Sequence, residues 1–308
     1  MIRSMYSGIS GLKNFQTKLD VIGNNISNVN TYGFKKGRTV FKDLISQTTS
    51  GASGASENRG GVNAKQVGLG SQLASIDTIH TGGSLQSTGN TLDLGLSGDG
   101  FFIVGETNAT PVPGGAAAGL QNFQYTRAGN FYMDANGYLV NGEGKYVYGF
   151  SENMEDADTT GTPAVPGTAP NYSIAPDGTL TGTVGPIRIP TNAKSMSISQ
   201  DGTVTFVDAF NELQYAGKLI TAKFPNAGGL EKSGSNYYTP SSNSGDPMFS
   251  FAAQNGVGSI ESGFLEMSNV DLSEEFTDMI VAQRGFQANT RIITTSDQIL
   301  EELVNLKR

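Results

Sequence analysis

The fold is decided by the two ends of the chain, residues 2–29 (IRSMYSGISGLKNFQTKLDVIGNNISNV) and residues 272–306 (LSEEFTDMIVAQRGFQANTRIITTSDQILEELVNL). In both stretches apolar residues recur every seven positions, which is typical of helices that pack lengthwise on other helices. The N-terminal rows are Met5, Leu12, Leu19 and Ile26, and Phe15, Ile22 and Val29. The C-terminal rows are Leu272, Met279, Phe286, Ile293 and Leu300, and Ile292, Ile299 and Leu306.

Taken alone, these rows of apolar residues fit ordinary core helices as well as helices that assemble with other subunits. Their position at the two ends of the chain favours assembly. Helices of such length span roughly 42 and 52 Å at 1.5 Å per residue, too long for a compact β domain. Residues 1–50 carry seven basic and two acidic side chains, whereas residues 271–308 carry four basic and seven acidic ones. We therefore expect the ends to pair with each other and with other subunits, and Asp271 to cap the second helix. The predicted subunit-interface residues are Met5, Leu12, Phe15, Leu19, Ile22, Ile26, Leu272, Met279, Phe286, Ile293 and Leu300.

The middle of the chain is predicted to be β-rich. Asp99-Gly100, Asn136-Gly137 and Asp201-Gly202 precede runs of β-branched and aromatic residues, as in turns that lead into strands. The predicted fold class is α+β, with long terminal helices forming a coiled-coil-like helical domain and a mainly antiparallel all-β middle domain. The predicted domains are a helical polymer core (1–30 and 270–308), an extended linker (31–70), a β-rich outer domain (71–149 and 188–269) and a flexible insertion (150–187).

Composition argues against most enzyme classes. Of 308 residues, 37% are hydrophobic and 16% charged, 41 are Gly, none is Cys, and His80 is the only histidine. This excludes thiolate zinc sites and disulfides and leaves little room for a His-based triad. We therefore predict no catalytic residue, no metal and no cofactor. A net charge of −8 and a pI near 4.7 argue against a nucleic-acid partner.

Residues 24–35, NNISNVNTYGFK, resemble the signature of the bacterial flagellar rod and hook axial proteins. Tyr32 stands where that family often has Pro. Residues 86–94, 99–102 and 125–131 also resemble the family, and residues 282–289 and 303–308 look like the hook branch rather than the distal rod branch. The signature residues are Asn24, Asn25, Asn28, Asn30, Gly33 and Phe34.

The resemblance implies a structural subunit of the flagellar hook, which polymerises into a curved, flexible tube outside the cell and passes torque from rod to filament. It implies terminal helices that line the tube and a β domain in the outer wall. The implied partners are further copies of the chain, rod and hook-filament junction proteins, the hook cap and the flagellar type III export apparatus. Nucleic acid and membrane insertion are not implied. No apolar h-region opens the chain, so export without a cleaved signal peptide is expected.

Two alternatives stay open. One is the distal rod protein, which shares the signature. The other, from a different class, is a secreted carbohydrate-binding or hydrolytic β protein, for which Tyr138 and Tyr148 are candidate sugar-stacking residues.

The Gly- and Ser-rich residues 48–61 suit either a compliant linker or an ordered spacer packed between subunits.

Overall fold

The computed structural model describes residues 2–55, 59–107, 120–151, 173–174, 180–181 and 184–306. They form two compact units, the first within 1–29, 36–79 and 270–308 and the second within 30–35 and 80–269. The elements of the first unit are α1 (Ile2–Ser27), β1 (Gly37–Asp43), β2 (Ser46–Ser50), β3 (Lys65–Gly68), β4 (Ser71–Thr78) and α2 (Leu272–Asn305).

The described residues of the second unit form strands and one short 3₁₀ turn, Ala227–Gly229. Its strands are β5 (Leu85–Ser87), β6 (Leu94–Ser97), β7 (Phe101–Thr107), β8 (Leu120–Thr126), β9 (Phe131–Met133), β10 (Leu139–Asn141), β11 (Tyr146–Ser151), β12 (Ser173–Ile174), β13 (Leu180–Thr181), β14 (Val184–Pro186), β15 (Ser195–Ile198), β16 (Thr203–Val207), β17 (Leu213–Leu219), β18 (Thr221–Lys223), β19 (Glu231–Gly234), β20 (Tyr237–Thr239), β21 (Met248–Ser250), β22 (Ser259–Ser262) and β23 (Phe264–Glu266).

One large sheet organises this second unit. Among the described residues thirteen strands join it, with the main order β15-β16-β17-β11-β7-β8-β20-β19 and with β9, β10, β14, β18 and β21 attached to the side. Every strand pairing within the described ranges is antiparallel. The predicted α+β class with mainly antiparallel strands is therefore confirmed.

Strand β7 is covered on both faces because its side chains alternate. Phe102 and Val104 belong to one buried apolar cluster, and Phe101 and Ile103 belong to another. The Asn136-Gly137 turn predicted from the sequence is present, with the Gly137 N–H donating to the Asp134 carbonyl at 2.9 Å. Gly137 has φ +83°, and a Cβ there would lie 2.0 Å from a backbone oxygen, so only glycine fits.

The stretch expected to be an extended linker contains strands instead. Strand β1 pairs with β4, with Gly37 opposite Thr78 at one end and Asp43 opposite Ser71 at the other. Strand β2 pairs with β3. Strand β4 thus belongs to the first unit, although residues from 71 onward were expected in the β-rich domain. The sequence prediction missed these strands because the Gly- and Ser-rich composition of the stretch indicates a linker. Composition does not show which distant segments form hydrogen bonds with each other. Most of the insertion expected at 150–187 lies outside the described residues.

Candidate assembly surface on the terminal helices

Helices α1 and α2 pack on each other in antiparallel orientation. An ideal Cβ at Gly285 would lie 2.5 Å from Cζ of Phe15, so the missing side chain makes room for the aromatic ring. One further turn along, a Cβ at Gly11 would lie 2.9 Å from the Asn289 amide. Glycine at these positions therefore permits the close approach of the two helices.

The inward row of α2 is small and polar rather than apolar. Glu275, Ala282 and Ser296, which are spaced by multiples of seven, are its buried residues among those described. A search for apolar heptads misses this row because only Ala282 is hydrophobic. The seven-residue spacing itself was the signal that identifies it, since it marks one helix face whatever the residue type.

The residues predicted to form subunit interfaces are mostly half-buried in the single chain. Ile22 is the exception on α1, with 3% of its surface exposed, and Leu272 begins α2 with 39% exposed. The half-buried members are Met5, Leu12, Phe15, Leu19, Ile26, Met279, Phe286, Ile293 and Leu300. Phe15 and Ile293 contact the partner helix of the same chain through its glycines, so part of the predicted interface is an intrachain contact.

A second set of apolar side chains on the same helices faces solvent. The exposed fraction is 65% at Tyr6, 66% at Val304 and 83% at Leu306, the residue that follows α2. The other large exposed apolar residues of the helices are Ile9, Leu272, Phe276, Ile280, Val281, Ile292, Ile299 and Leu303. Exposed apolar side chains, where they form an extended patch, are typical of interaction sites.

The start of α2 and the end of α1 are held by polar contacts. Asp271 accepts a hydrogen bond from the Ser273 N–H at 2.8 Å, which confirms the predicted N-cap. The Glu274 carboxylate pairs with the Lys36 ammonium at 2.8 Å. The Asn25 side chain donates to the Gly37 carbonyl and accepts from the Gly37 N–H, both at 2.9 Å, so it ties α1 to β1.

The signature residues act at the helix exit. Helix α1 ends at Ser27, two residues before the predicted end, and the Asn28 side chain donates back to the Asn24 carbonyl at 3.0 Å. Asn30 is exposed and Phe34 is half-buried. Gly33 has φ +69°, and a Cβ there would lie 2.6 Å from the Arg127 backbone. The turn therefore requires glycine at position 33.

A buried ion cluster follows this turn within the second unit. The Lys35 ammonium lies 2.6 Å from Glu266, and the Arg127 guanidinium lies 3.1 Å from the other carboxylate oxygen. Lys35 also donates to the Thr81 carbonyl at 2.8 Å. Burial lowers the pKa of Lys35, and the Glu266 carboxylate opposes that shift. The cluster has a structural role, because each buried charge has a partner.

The residues that the carbohydrate alternative requires are not available to a sugar. Tyr138 is 7% exposed and Tyr148 is 1% exposed, and the Tyr148 hydroxyl donates to the Glu106 carbonyl. Within the described ranges, no three His, Asp or Glu side chains are grouped as metal ligands. No helix in the described part of the chain is both long and apolar enough to cross a bilayer.

Comparison with known proteins gives a consistent result. Three family profiles match: "Flagella basal body rod protein" over residues 5–35, "Flagellar hook protein FlgE/F/G D1 domain" over residues 95–206, and "Flagellar basal body rod FlgEFG protein C-terminal" over residues 261–306. The chain is 51% identical over 311 residues to the flagellar basal-body rod protein FlgG of Bacillus subtilis (strain 168), with 100% of both chains covered.

Relatives in Borreliella burgdorferi include both branches. The chain is 33% identical over 454 residues to its flagellar hook protein FlgE and 34% identical over 312 residues to its rod protein FlgG, each with 100% of both chains covered. A crystal structure of Helicobacter pylori flagellar hook protein FlgE2 aligns with 25% identity and a TM-score of 0.22, over 37% of this chain and 24% of that chain. That structural overlap is too small to support an argument.

Proposed function

Because the chain belongs to the family of bacterial flagellar rod and hook axial proteins, whose members are structural and not enzymes, we propose that it is the subunit of the distal rod of the basal body. The resemblance of residues 282–289 and 303–308 to the hook branch predicted a hook subunit instead. The comparisons favour the rod, so the alternative drawn from the sequence becomes the main proposal.

The observation that carries this proposal is the full-length match at 51% identity to a rod protein. Length supports it as well. The alignment with the Borreliella rod protein spans 312 residues, close to the 308 of this chain, whereas the alignment with the hook protein of the same organism spans 454. The hook relative therefore contains long segments for which this chain has no counterpart.

We propose further that the terminal helices form the polymer core through coiled-coil-like packing between copies. The exposed apolar residues on α1 and α2 support this, because a single chain leaves them in water. The β-rich unit then forms the outer wall, and copies of the same chain are the principal partner. Export without a cleaved signal peptide through the type III apparatus is part of the same proposal and rests on family membership.

The β2–β3 hairpin supports an ordered spacer rather than a free linker at residues 48–61. Thr48 pairs with Gln66, and the Gln66 amide donates to the Thr48 hydroxyl at 3.1 Å. Apart from Ser46 at its base, the residues of its two strands are exposed. An isolated two-stranded hairpin is marginally stable in water, so we propose that neighbouring copies cover it and that this contact stiffens the tube.

Electron micrographs of basal bodies from a deletion strain test the rod assignment against the hook. A strain without the distal rod subunit is expected to make basal bodies with a shortened rod and no hook, and a plasmid copy of the gene is expected to restore both. Basal bodies with a full-length rod that lack only the hook would contradict the proposal and support the hook. Complete flagella in the deletion strain would contradict both.

A further inference from the structure

A cleft of about 210 Å³ opens between α1, α2 and β1 in the first unit. Ile22 and Ile79 contribute apolar surface to it, and the other lining residues include three cations and three carboxylates. The volume exceeds what one water molecule needs several-fold, so the end of a long side chain has room.

The cations that line the cleft are already paired within the chain. Lys36 lies 2.8 Å from Glu274, and Lys18 lies 3.1 Å from Asp278. Arg38 turns to Asp77 at 3.4 Å, and Asp77 is not a lining residue. These pairs account for two of the three carboxylates and leave Glu275.

Glu275 is 6% exposed, yet it has no cation within 4.0 Å among the described residues. Its Oε1 accepts one hydrogen bond, from the Asn25 amide at 3.1 Å. A carboxylate has capacity for about four hydrogen bonds, and the described residues supply this one. A buried carboxylate without an opposite charge destabilises the chain that contains it.

The pKa of Glu275 agrees with this geometry. Burial raises it, while the Asn25 hydrogen bond and the Lys36 charge act in the opposite direction and Asp278 and Glu274 add to the rise. The isolated chain thus tolerates the negative charge poorly at this position.

We propose that the Glu275 cleft receives a lysine or arginine side chain from a neighbouring copy of this chain, which supplies the missing charge on assembly. The inference deepens the proposed polymer function and rests on it. The terminal helices carry exposed lysine and arginine side chains. Arg3, Lys13 and Arg291 are exposed and form no ion pair with any described residue. A second copy therefore carries both the carboxylate that lacks a cation and the cations that lack a carboxylate.

Glu275→Gln tests the proposal because glutamine keeps the shape and the acceptor for Asn25 but loses the charge. In purified full-length protein, the melting temperature of the unassembled chain is expected to stay the same or rise. The critical concentration for polymer formation, measured by sedimentation, is expected to rise at least about tenfold, since breaking a desolvated charge pair weakens an interface strongly. Glu301→Gln is the matched control; Glu301 is exposed on α2 and does not line the cleft, so a change of less than about threefold is expected.

Charge reversal supplies a second measurement. Glu275→Lys is expected to abolish sedimenting polymer, and combining it with Arg3→Glu, Lys13→Glu or Arg291→Glu is expected to restore polymer in one of the three double variants. Unchanged assembly of Glu275→Gln, or failure of all three double variants, would overturn the Glu275 cleft as an interchain contact while leaving the polymer function intact. Failure of the wild-type chain to polymerise would instead contradict the proposed function itself.

Discussion

Gly285 and Gly23 are both helical glycines, and they differ in what surrounds them. A Cβ at Gly285 would lie 2.5 Å from the Phe15 ring, whereas a Cβ at Gly23 meets nothing within 4 Å. Glycine inside a helix costs about 0.5–1 kcal/mol relative to alanine. At Gly285 that cost is offset by the close approach of α1 and α2. At Gly23 no neighbouring group in the single chain comes close enough to offset it.

We predict that Gly23→Ala raises the free energy of unfolding of the helical unit by about 0.5–1 kcal/mol. Gly285→Ala is expected to lower it by about 1–3 kcal/mol, because the methyl group displaces the Phe15 ring. Thermal unfolding of the unassembled chain, followed by the helical circular dichroism signal, measures both changes. Equal stabilisation by the two substitutions would show that the helices do not approach each other at Gly285.

At the scale of elements, the β2–β3 hairpin distinguishes the two interpretations of residues 48–61. Removing residues 50–60 shortens the hairpin and removes surface that neighbouring copies are proposed to cover. We expect the critical concentration for assembly to rise at least about tenfold in sedimentation, because contact area is lost from each subunit. A control variant in which residues 50–60 are all replaced by Gly or Ser keeps the length of the segment. It separates the effect of the segment's length from the effect of its sequence. Normal assembly of the shortened chain into stiff, straight tubes would support a compliant linker instead.

At the scale of the whole molecule, the two units differ in where their residues lie along the chain. The second unit uses residues within 30–35 and 80–269, and neither of its two buried apolar clusters contains a residue of a terminal helix. Helix α1 without α2 loses its packing partner, and a lone helix has little stability in water.

We predict that deleting residues 272–308 leaves a folded, soluble β-rich unit that does not polymerise. Near-ultraviolet circular dichroism reports the fold and electron microscopy reports tubes. Glu302→Ala serves as the control, because Glu302 is exposed and lies in no ion pair among the described residues. Tubes formed by the truncated chain would contradict assembly through the terminal helices.

The sequence by itself determined the features that depend on neighbouring residues. Heptad spacing identified both terminal helices, Asp271 identified the start of α2, and Asn136-Gly137 identified a tight turn. Each is a local property, since residue spacing selects the face of an element and a turn selects its own residue types. Residues 24–35 likewise identified the family, and the comparisons confirmed it.

Only the tertiary structure decided which of these faces meet. The pairing of Gly285 with Phe15, the β1–β4 ladder inside the expected linker and the burial of Glu275 all join residues far apart in the chain. Glu275 and Asn25 are separated by 250 positions, and nothing in the spacing around either residue predicts their hydrogen bond. The burial of a residue is the sum of its contacts with several segments. The lack of a cation partner for Glu275 can therefore be identified only once the packed segments are known.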